Sequence, residues 1–397
     1  MTKQDEMLEI ARATQLPNYR PAPFVLTRGR GCRVEDLEGR SYLDLSGGIA
    51  VLSVGHSHPT LAAAIAAQAG RLMHVSNLFY NDRAIELAAE LVRRTPFERV
   101  YFANSGTEAN EAMIKLARRA QHERGEAERV EIVSTSGSFH GRTMGALSVT
   151  GQPKYHVGMA PLMGGVRFVP YGDLDAMREA IGPHTAAVIV EPIQAEGGIL
   201  VPPPGYLGGL RELCDAAGAY LLFDEVQTGY GRTGTFLALE REGAVPDACS
   251  LAKGIGGGFP LGAMLVREPL AGGLPPGSHA STFGGNALAC AAGLAVLRIF
   301  DEEQLIDQAA RLGALLGERL EALAARLPRV LEARGEGLLR GLALGPDVDP
   351  SAILAALRER GLLLTLAGGD VLRISPPLVV TEAELDEGLR IVAEVLA

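Results

Sequence analysis

Short, wholly apolar runs alternate with long alanine- and leucine-rich segments from about residue 60 to residue 285. The runs that we take as strands occupy residues 100–102, 130–133, 166–169, 187–190, 220–223 and 263–266. Because they are apolar on both faces and separated by helical segments, they predict a mostly parallel β-sheet covered on both sides. Ligands of such α/β folds bind beyond the carboxyl ends of the strands, so functional side chains are expected just after each run.

The two ends of the chain carry a different pattern. Residues 24–45 alternate apolar and polar positions around glycine-containing turns, which predicts two or three short antiparallel strands after a helix within residues 1–20. Beyond residue 285 we expect helices through Leu297 and over 305–327, strands over 338–344 and 371–374, and a last helix opened by a capping box at Thr381.

These patterns predict three segments. Residues 56–285 are expected to form a large ligand-binding domain that ends near Gly284-Gly285-Asn286. Residues 286–397 are expected to form a small α+β domain, and residues 1–55 to contribute to that domain and to an interface.

Composition narrows the functional classes. The chain has 397 residues and a formal net charge of −10, which argues against nucleic acid or an anionic membrane as the main partner. Its four cysteines show no metal-ligand spacing, so we expect reduced, packed thiols and no metal site. The polar N-terminus and the lack of a run of about 18 apolar residues predict a cytoplasmic protein.

Lys253 is the first candidate for chemistry. Lysine occurs only at Lys3, Lys115, Lys154 and Lys253, although arginine is plentiful, and Lys253 stands in an apolar, glycine-flanked stretch. A desolvated lysine can release its proton, whereas arginine cannot, and only a free amine attacks a carbonyl carbon. Lys253 is therefore a candidate nucleophile; the alternative is a surface cation at the end of a strand.

The residues after the run 100–102 are typical of a helix start. Ser105 with Glu108 three residues later predicts an N-terminal capping box, and Gly106 permits close approach of the backbone. A helix N-terminus presents unpaired N–H groups and a partial positive charge, so Gly106 and Thr107 could hold a phosphate. Capping boxes without ligands are common, so a helix start that binds no phosphate is also a valid interpretation of this motif.

Three further strand ends carry suitable side chains. Phe139 could place its flat face against a planar ring, and the guanidinium of Arg142 could bind a carboxylate through two hydrogen bonds. The alternative is a buried phenylalanine beside a solvated arginine in a turn. Glu196 lies in a loop after the run 187–190. Asp224 ends the most hydrophobic run, where a carboxylate is costly unless it meets a cation.

One ligand satisfies these demands together: an aromatic ring with a phosphate, a protonatable nitrogen and an aldehyde, which is pyridoxal 5′-phosphate. Asp224 would keep the ring nitrogen protonated, and Lys253 would hold the aldehyde. A carboxylate about 4 Å from that nitrogen contributes roughly 4 kcal/mol at an effective dielectric constant of about 20. The remaining residues would contact the two ring faces (Phe139, Val226), the phenolic oxygen (Gln227) and the phosphate (Ser105, Gly106, Thr107).

With these residues in place, the sequence resembles the class III aminotransferases over nearly its whole length. The matching motifs occupy residues 39–59, 104–110, 139–143, 191–198, 224–229, 253–258, 281–286 and 373–378. The resemblance implies an α/β large domain of the aspartate-aminotransferase type (fold type I), a small α+β domain from both termini, and an obligate homodimer. It also implies that Thr282 reaches the cofactor phosphate of the other subunit and that Ser281 lies beside its substrate.

The resemblance further implies the reaction. We expect a pyridoxal-phosphate-dependent aminotransferase that moves the δ-amino group of N2-acetyl-L-ornithine to 2-oxoglutarate, in arginine biosynthesis. Arg142 would bind the acetylornithine carboxylate and the distal carboxylate of glutamate. Arg373 would bind the α-carboxylate of glutamate, and Glu196 would pair with Arg373 when the ω-amine donor is present. Ile49 stands where ornithine aminotransferases carry a tyrosine, and an apolar residue suits an acylated nitrogen.

Several alternatives stay open from the sequence. Related ω-aminotransferases act on N-succinyl-diaminopimelate, ornithine, 4-aminobutyrate or, in lysine biosynthesis, carrier-protein-bound aminoadipate semialdehyde. A nucleotide-binding phosphate loop is a different class, but its glycines should precede the lysine, whereas here they follow Lys253. A non-catalytic assembly protein would have no need for Lys253, Asp224 and Arg373 together.

Overall fold

The computed structural model describes residues 1–397. The strands are β1 (Leu26–Arg30), β2 (Arg33–Asp36), β3 (Ser41–Asp44), β4 (Arg99–Ala103), β5 (Glu131–Thr135), β6 (Val166–Val169), β7 (Thr185–Val190), β8 (Tyr220–Asp224), β9 (Ala248–Leu251), β10 (Gly262–Val266), β11 (Val330–Glu336), β12 (Leu339–Leu344), β13 (Leu362–Leu363), β14 (Thr365–Ala367) and β15 (Val371–Ile374).

The helices surround these strands. The α-helices are Lys3–Thr14, Gly47–Ala50, Pro59–Ala69, Asp82–Arg94, Gly106–Glu123, Met144–Ser148, Leu174–Ala180, Tyr206–Ala217, Glu268–Ala271, Ala287–Glu302, Leu305–Ala324, Pro350–Glu359 and Glu382–Leu396. Short 3₁₀ turns cover Pro153–Tyr155, Ala238–Arg241 and Lys253–Gly256. The predicted capping box at Thr381 is confirmed, since Thr381 and Glu384 exchange hydrogen bonds with each other's N–H groups. No helix is both long and apolar enough to cross a membrane.

A seven-stranded sheet in the order β4-β10-β9-β8-β7-β5-β6 forms the centre of the molecule. The strands from β9 to β6 pair in parallel, while β10 runs antiparallel to both β4 and β9. The predicted mostly parallel α/β sheet is confirmed, with all six predicted strands in place. Strand β9 was not predicted because Ser250 interrupts its short apolar run, although all four of its residues are buried.

Two four-stranded sheets, in the orders β1-β2-β3-β13 and β11-β12-β15-β14, flank the central sheet. The predicted antiparallel strands near the N-terminus are confirmed as β1 to β3, and β13 pairs in parallel with β3, which brings the two ends of the chain into one sheet. Strand β11 was not predicted, because most of its residues are only partly buried. The segment limits at residues 55 and 285 stay a prediction.

One large apolar cluster joins all these parts. It contains Leu43 from β3, Phe223 from β8, Val296 from the helix Ala287–Glu302, and Leu389 from the last helix. The four cysteines are buried free thiols. This shared core fixes the carboxyl ends of β8 and β9, from which Asp224 and the segment to Lys253 emerge.

Candidate active site

A cavity of about 420 Å³ opens at the carboxyl ends of the central strands. Nine of the predicted site residues line it, namely Ser105, Gly106, Thr107, Phe139, Arg142, Asp224, Val226, Gln227 and Lys253. These residues come from four separate stretches of the chain, so the fold brings together groups that the sequence keeps far apart. The other predicted residues, Glu196, Ser281, Thr282 and Arg373, lie outside the lining of the cavity.

Lys253 begins the 3₁₀ turn Lys253–Gly256 directly after β9. Its φ of 49° is left-handed, a conformation that non-glycine residues adopt rarely and usually at functional or strained positions. Desolvation lowers the pKa of the Lys253 amine to about 8, although the carboxylates of Glu196 and Asp224 act in the opposite direction. About a tenth of the amine is therefore unprotonated at pH 7, far more than at the ordinary lysine pKa of about 10.4.

Asp224 ends β8 and is buried, and each of its carboxylate oxygens has partners. Oδ2 accepts a hydrogen bond from Nδ2 of Asn110 at 2.7 Å and lies 2.8 Å from Nδ1 of His140. Oδ1 accepts from the backbone N–H of Val226 at 3.0 Å. Burial acts to raise the pKa of Asp224, but the hydrogen bond and charge of His140, with the other donors, outweigh it and leave the pKa lowered.

His140 and Asn110 were not predicted as site residues. His140 follows Phe139 in the same loop, and Asn110 is a fully buried amide in the helix Gly106–Glu123. A signal for Asn110 was available in the sequence. It lies four positions after Gly106, so the two residues share one face of the helix, and a polar residue on a buried face needs a partner. Both residues orient the carboxylate of Asp224 from the side.

Glu191 is a second buried carboxyl group in the cavity wall. Its Oε2 accepts the backbone N–H of Phe139 at 3.1 Å, and its Oε1 accepts that of Ala195 at 3.4 Å. Burial, reinforced by the charge of Asp224, raises the pKa of Glu191 well above its ordinary value. The pKa values of the two buried carboxyl groups thus shift in opposite directions, downward at Asp224 and upward at Glu191.

The start of the helix Gly106–Glu123 forms another wall. Oγ of Ser105 accepts the N–H of Glu108 at 3.4 Å, but the carboxylate of Glu108 accepts the N–H of Asn104 at 2.6 Å, so the predicted reciprocal capping box is wrong by one residue. A Cβ atom on Gly106 would lie 2.9 Å from the methyl groups of Val226. Glycine at this position therefore lets the helix start approach the Val226 side of the cavity.

One hydrogen-bonded network extends from the cavity wall into the protein. It joins Gln227, which lines the cavity, to Glu196 and Arg373. NH1 of Arg373 makes an ion pair with Glu196 and donates to Oε1 of Gln227 at 3.2 Å, while Nε2 of Gln227 donates to Oε1 of Glu196 at 3.0 Å. Burial acts to raise the pKa of Glu196, but the charge and hydrogen bond of Arg373, the charge of Lys253 and the hydrogen bond of Gln227 together outweigh it and lower the pKa. Thr365 on β14, which was not predicted, accepts the Nε–H of Arg373 at 3.0 Å.

Ser281 and Thr282 lie in a neighbouring cleft, together with Tyr101 and His279. Oγ of Ser281 accepts hydrogen bonds from Asn104 at 3.3 Å and from the N–H of Gly284 at 3.0 Å, whereas Thr282 is exposed. Within one chain, neither residue reaches the cavity around Lys253.

The sequence profile described as Aminotransferase class-III matches residues 14–396. The chain is 50% identical to an acetylornithine aminotransferase of Myxococcus xanthus over 384 residues, covering 96% of this chain and 95% of that protein. It is 46% identical to the succinylornithine transaminase/acetylornithine aminotransferase of Pseudomonas aeruginosa over 376 residues, covering 94% and 93%. The crystal structure of ornithine aminotransferase from Toxoplasma gondii ME49 superposes with a TM-score of 0.96 at 34% identity, covering 100% of this chain and 95% of that one.

Proposed function

The chain belongs to the class-III aminotransferase family, and we propose that it transfers the δ-amino group of N2-acetyl-L-ornithine to 2-oxoglutarate. The products would be N-acetyl-L-glutamate 5-semialdehyde and L-glutamate, and the reaction would serve arginine biosynthesis. Relatives named acetylornithine aminotransferase at 42–50% identity support this substrate. The ornithine aminotransferase with high structural similarity is only 34% identical in sequence, so this similarity supports the shared fold and not the choice of substrate.

The observation that carries the proposal is the composition of the cavity. It combines an amine, an ionised carboxylate, an aromatic face, an aliphatic face and a helix N-terminus, which together match the aldehyde, ring nitrogen, ring faces and phosphate of pyridoxal 5′-phosphate. Class-III aminotransferases depend on this cofactor. When bound, it supplies an aldehyde that carries amino groups and a ring that accepts electrons.

We assign the proton transfer to Lys253. Its amine, with a pKa lowered to about 8, can take a proton from the substrate carbon that bears the amino group and return it during one turnover. Asp224 holds the proton on the ring nitrogen, because its carboxylate stays ionised and is fixed by His140 and Asn110.

We assign the recognition of substrate carboxylates to two arginines. Arg142 lies at the cavity, where its guanidinium can bind the carboxylate of acetylornithine or the distal carboxylate of glutamate. Arg373 pairs with Glu196, which suits an ω-amine donor that brings no second carboxylate there. The α-carboxylate of glutamate would take the place of Glu196 on Arg373.

We also propose a homodimer that completes the site with Ser281 and Thr282 of the second subunit. Leu78, Phe79 and Tyr80 are 84%, 69% and 94% exposed, and apolar surface of this kind marks protein contacts. This segment adjoins the predicted residues, because Nδ2 of Asn77 donates to the carbonyl oxygen of Ser281 at 2.8 Å. A cytoplasmic location stays a prediction.

The experiment that tests the function is a donor panel measured on the purified protein with 2-oxoglutarate. We expect the kcat/KM for N-acetylornithine to exceed that for ornithine, 4-aminobutyrate and N-succinyl-diaminopimelate, and N-acetylornithine to change the visible absorption of the bound cofactor. A preference for unacylated ornithine would overturn the substrate assignment. It would also remove the role proposed for Ile49, whose apolar side chain is 39% exposed.

A further inference from the structure

The guanidinium of Arg142 lies on an aromatic surface instead of in an ion pair. Its Cζ atom is 3.7 Å from the ring centroid of Tyr155 and 5.5 Å from that of Phe139. The hydrogen bond of Arg142 within the chain uses its backbone N–H, which donates to Oγ1 of Thr107 at 3.2 Å. The side chain is thus held by ring faces, and its N–H groups are left uncommitted.

This kind of contact orients a guanidinium without occupying it. The group is planar, its five N–H bonds lie in that plane, and an aromatic ring attracts its face. An ion pair would occupy the in-plane donors, as Glu196 and Gln227 occupy NH1 of Arg373. Stacking leaves the edge of Arg142 available for the two oxygens of a carboxylate.

Tyr155 is itself fixed relative to the cavity. It ends the 3₁₀ turn Pro153–Tyr155, and its N–H donates to the carbonyl oxygen of Gln152 at 3.0 Å. The side-chain amide of Gln152 donates to the carbonyl oxygens of Gly137 and Ser138 at 3.2 and 3.3 Å, in the loop that carries Phe139. The rings of Phe139 and Tyr155 meet edge to face, with centroids 6.0 Å apart.

We infer that Tyr155 is a positioning residue for substrate recognition: its ring holds the guanidinium of Arg142 so that the guanidinium edge meets a carboxylate of the substrate. This inference rests on the proposed function, in which Arg142 binds a carboxylate in both half-reactions. It adds that the ring of Tyr155, and not its hydroxyl group, carries the effect, since that hydroxyl forms no hydrogen bond within the chain.

The test compares Tyr155→Leu with Tyr155→Phe in the holoenzyme. Y155L removes the ring, and we expect the KM for N-acetylornithine and for 2-oxoglutarate to rise about threefold to tenfold, with kcat changed less than about twofold. Y155F keeps the ring, so both KM values should stay within about twofold of those of the unmodified enzyme. A rise in KM for Y155F as large as that for Y155L would overturn the assignment to the ring.

Two controls separate positioning from general damage. Lys154→Met removes a second cation, 4.9 Å from the same ring, without touching Arg142 or Tyr155, and should leave both KM values nearly unchanged. In the Arg142→Leu background, Y155L should have no further effect on either KM, because the ring would act only through Arg142. Full additivity of the two changes, or loss of cofactor absorption in Y155L alone, would refute the inference.

The KM for 2-oxoglutarate tests the role of Tyr155 independently of which amino donor the enzyme prefers. If the donor panel shows that the enzyme prefers another ω-amine, the proposed substrate fails, and the effect of Y155L on the KM for 2-oxoglutarate still decides the role of Tyr155.

Discussion

Lys253 is the residue on which turnover should depend most strongly. Lys253→Ala removes the only amine in the cavity, so we expect kcat to fall by at least about 10²–10⁴-fold, the range that a positioned acid–base group contributes. The fold and the bound cofactor should persist, because Asp224, Phe139 and the helix start are unchanged. Steady-state kinetics and visible absorption after dialysis measure the two effects. Lys3→Ala, on the exposed N-terminal helix, is the matched control and should retain full activity.

The lowered pKa of Lys253 predicts how the apoenzyme captures its cofactor. The free amine attacks the aldehyde, and desolvation places the pKa of this amine at about 8 instead of the ordinary value of about 10.4. The amine is therefore mostly protonated below pH 8 and mostly free above it. Stopped-flow absorption should show a capture rate that rises with pH, with a midpoint near 8. A midpoint near 10 would mean that the amine is not desolvated.

The negative charge of Asp224 should contribute strongly to kcat. Asp224→Asn keeps the shape and removes the negative charge, so the attraction for a protonated ring nitrogen, roughly 4 kcal/mol at 4 Å, is lost. We expect kcat to fall by about 10²–10³-fold, with the cofactor still bound. Asp215→Asn, which removes a surface carboxylate paired with Arg211, is the control and should change kcat little. Near-normal kcat for D224N would mean that this carboxylate does not hold the ring-nitrogen proton.

At the scale of elements, the loop that carries Glu196 and the strand β15 that carries Arg373 act as a pair. Arg373→Ala removes the proposed partner of the α-carboxylate of glutamate, so we expect the KM for 2-oxoglutarate to rise about 10- to 150-fold. The KM for N-acetylornithine should change far less, because this donor does not use Arg373. Glu332→Ala on β11, which removes an exposed carboxylate paired with Arg334, controls for damage to the same sheet and leaves the hydrogen bond from Arg334 to Gly198 in place. Equal changes in both KM values would contradict the proposed exchange between Glu196 and glutamate.

The elements that could be predicted from the sequence are those marked by a run of apolar residues within the element itself. Six apolar runs became central strands, and Lys253, Asp224, Phe139 and Gly106 follow or precede them at the expected edge of the sheet. Strand β9 escaped prediction because it is only four residues long and Ser250 interrupts its apolar run, so its burial becomes evident only when the neighbouring strands are in place. His140 and Tyr155 escaped for a related reason: their partners Asp224 and Arg142 become close only after the chain folds.

At the scale of the whole molecule, the surface that the proposed homodimer would cover is exposed in the single chain. Thr282 and the apolar segment Leu78, Phe79 and Tyr80 are exposed on one side, while the cavity around Lys253 lacks both Ser281 and Thr282. The proposed homodimer would account for this separation, because in it Ser281 and Thr282 complete the site of the partner subunit. In that proposal a single chain contains two half-sites and no complete one.

Mixing two inactive variants should therefore restore activity. Lys253→Ala dimers lack the amine in both sites, and Thr282→Glu dimers place a negative charge where the cofactor phosphate would bind, so each variant alone should be nearly inactive. In a mixed dimer, one site takes Lys253 from one chain and Thr282 from the other and is intact. Random exchange of equal amounts makes about half of all dimers mixed, each with one intact site in two, so activity should recover to about a quarter of the unmodified value. If Thr282 acted within its own chain, every site that retains Lys253 would still carry the glutamate, and mixing would restore nothing.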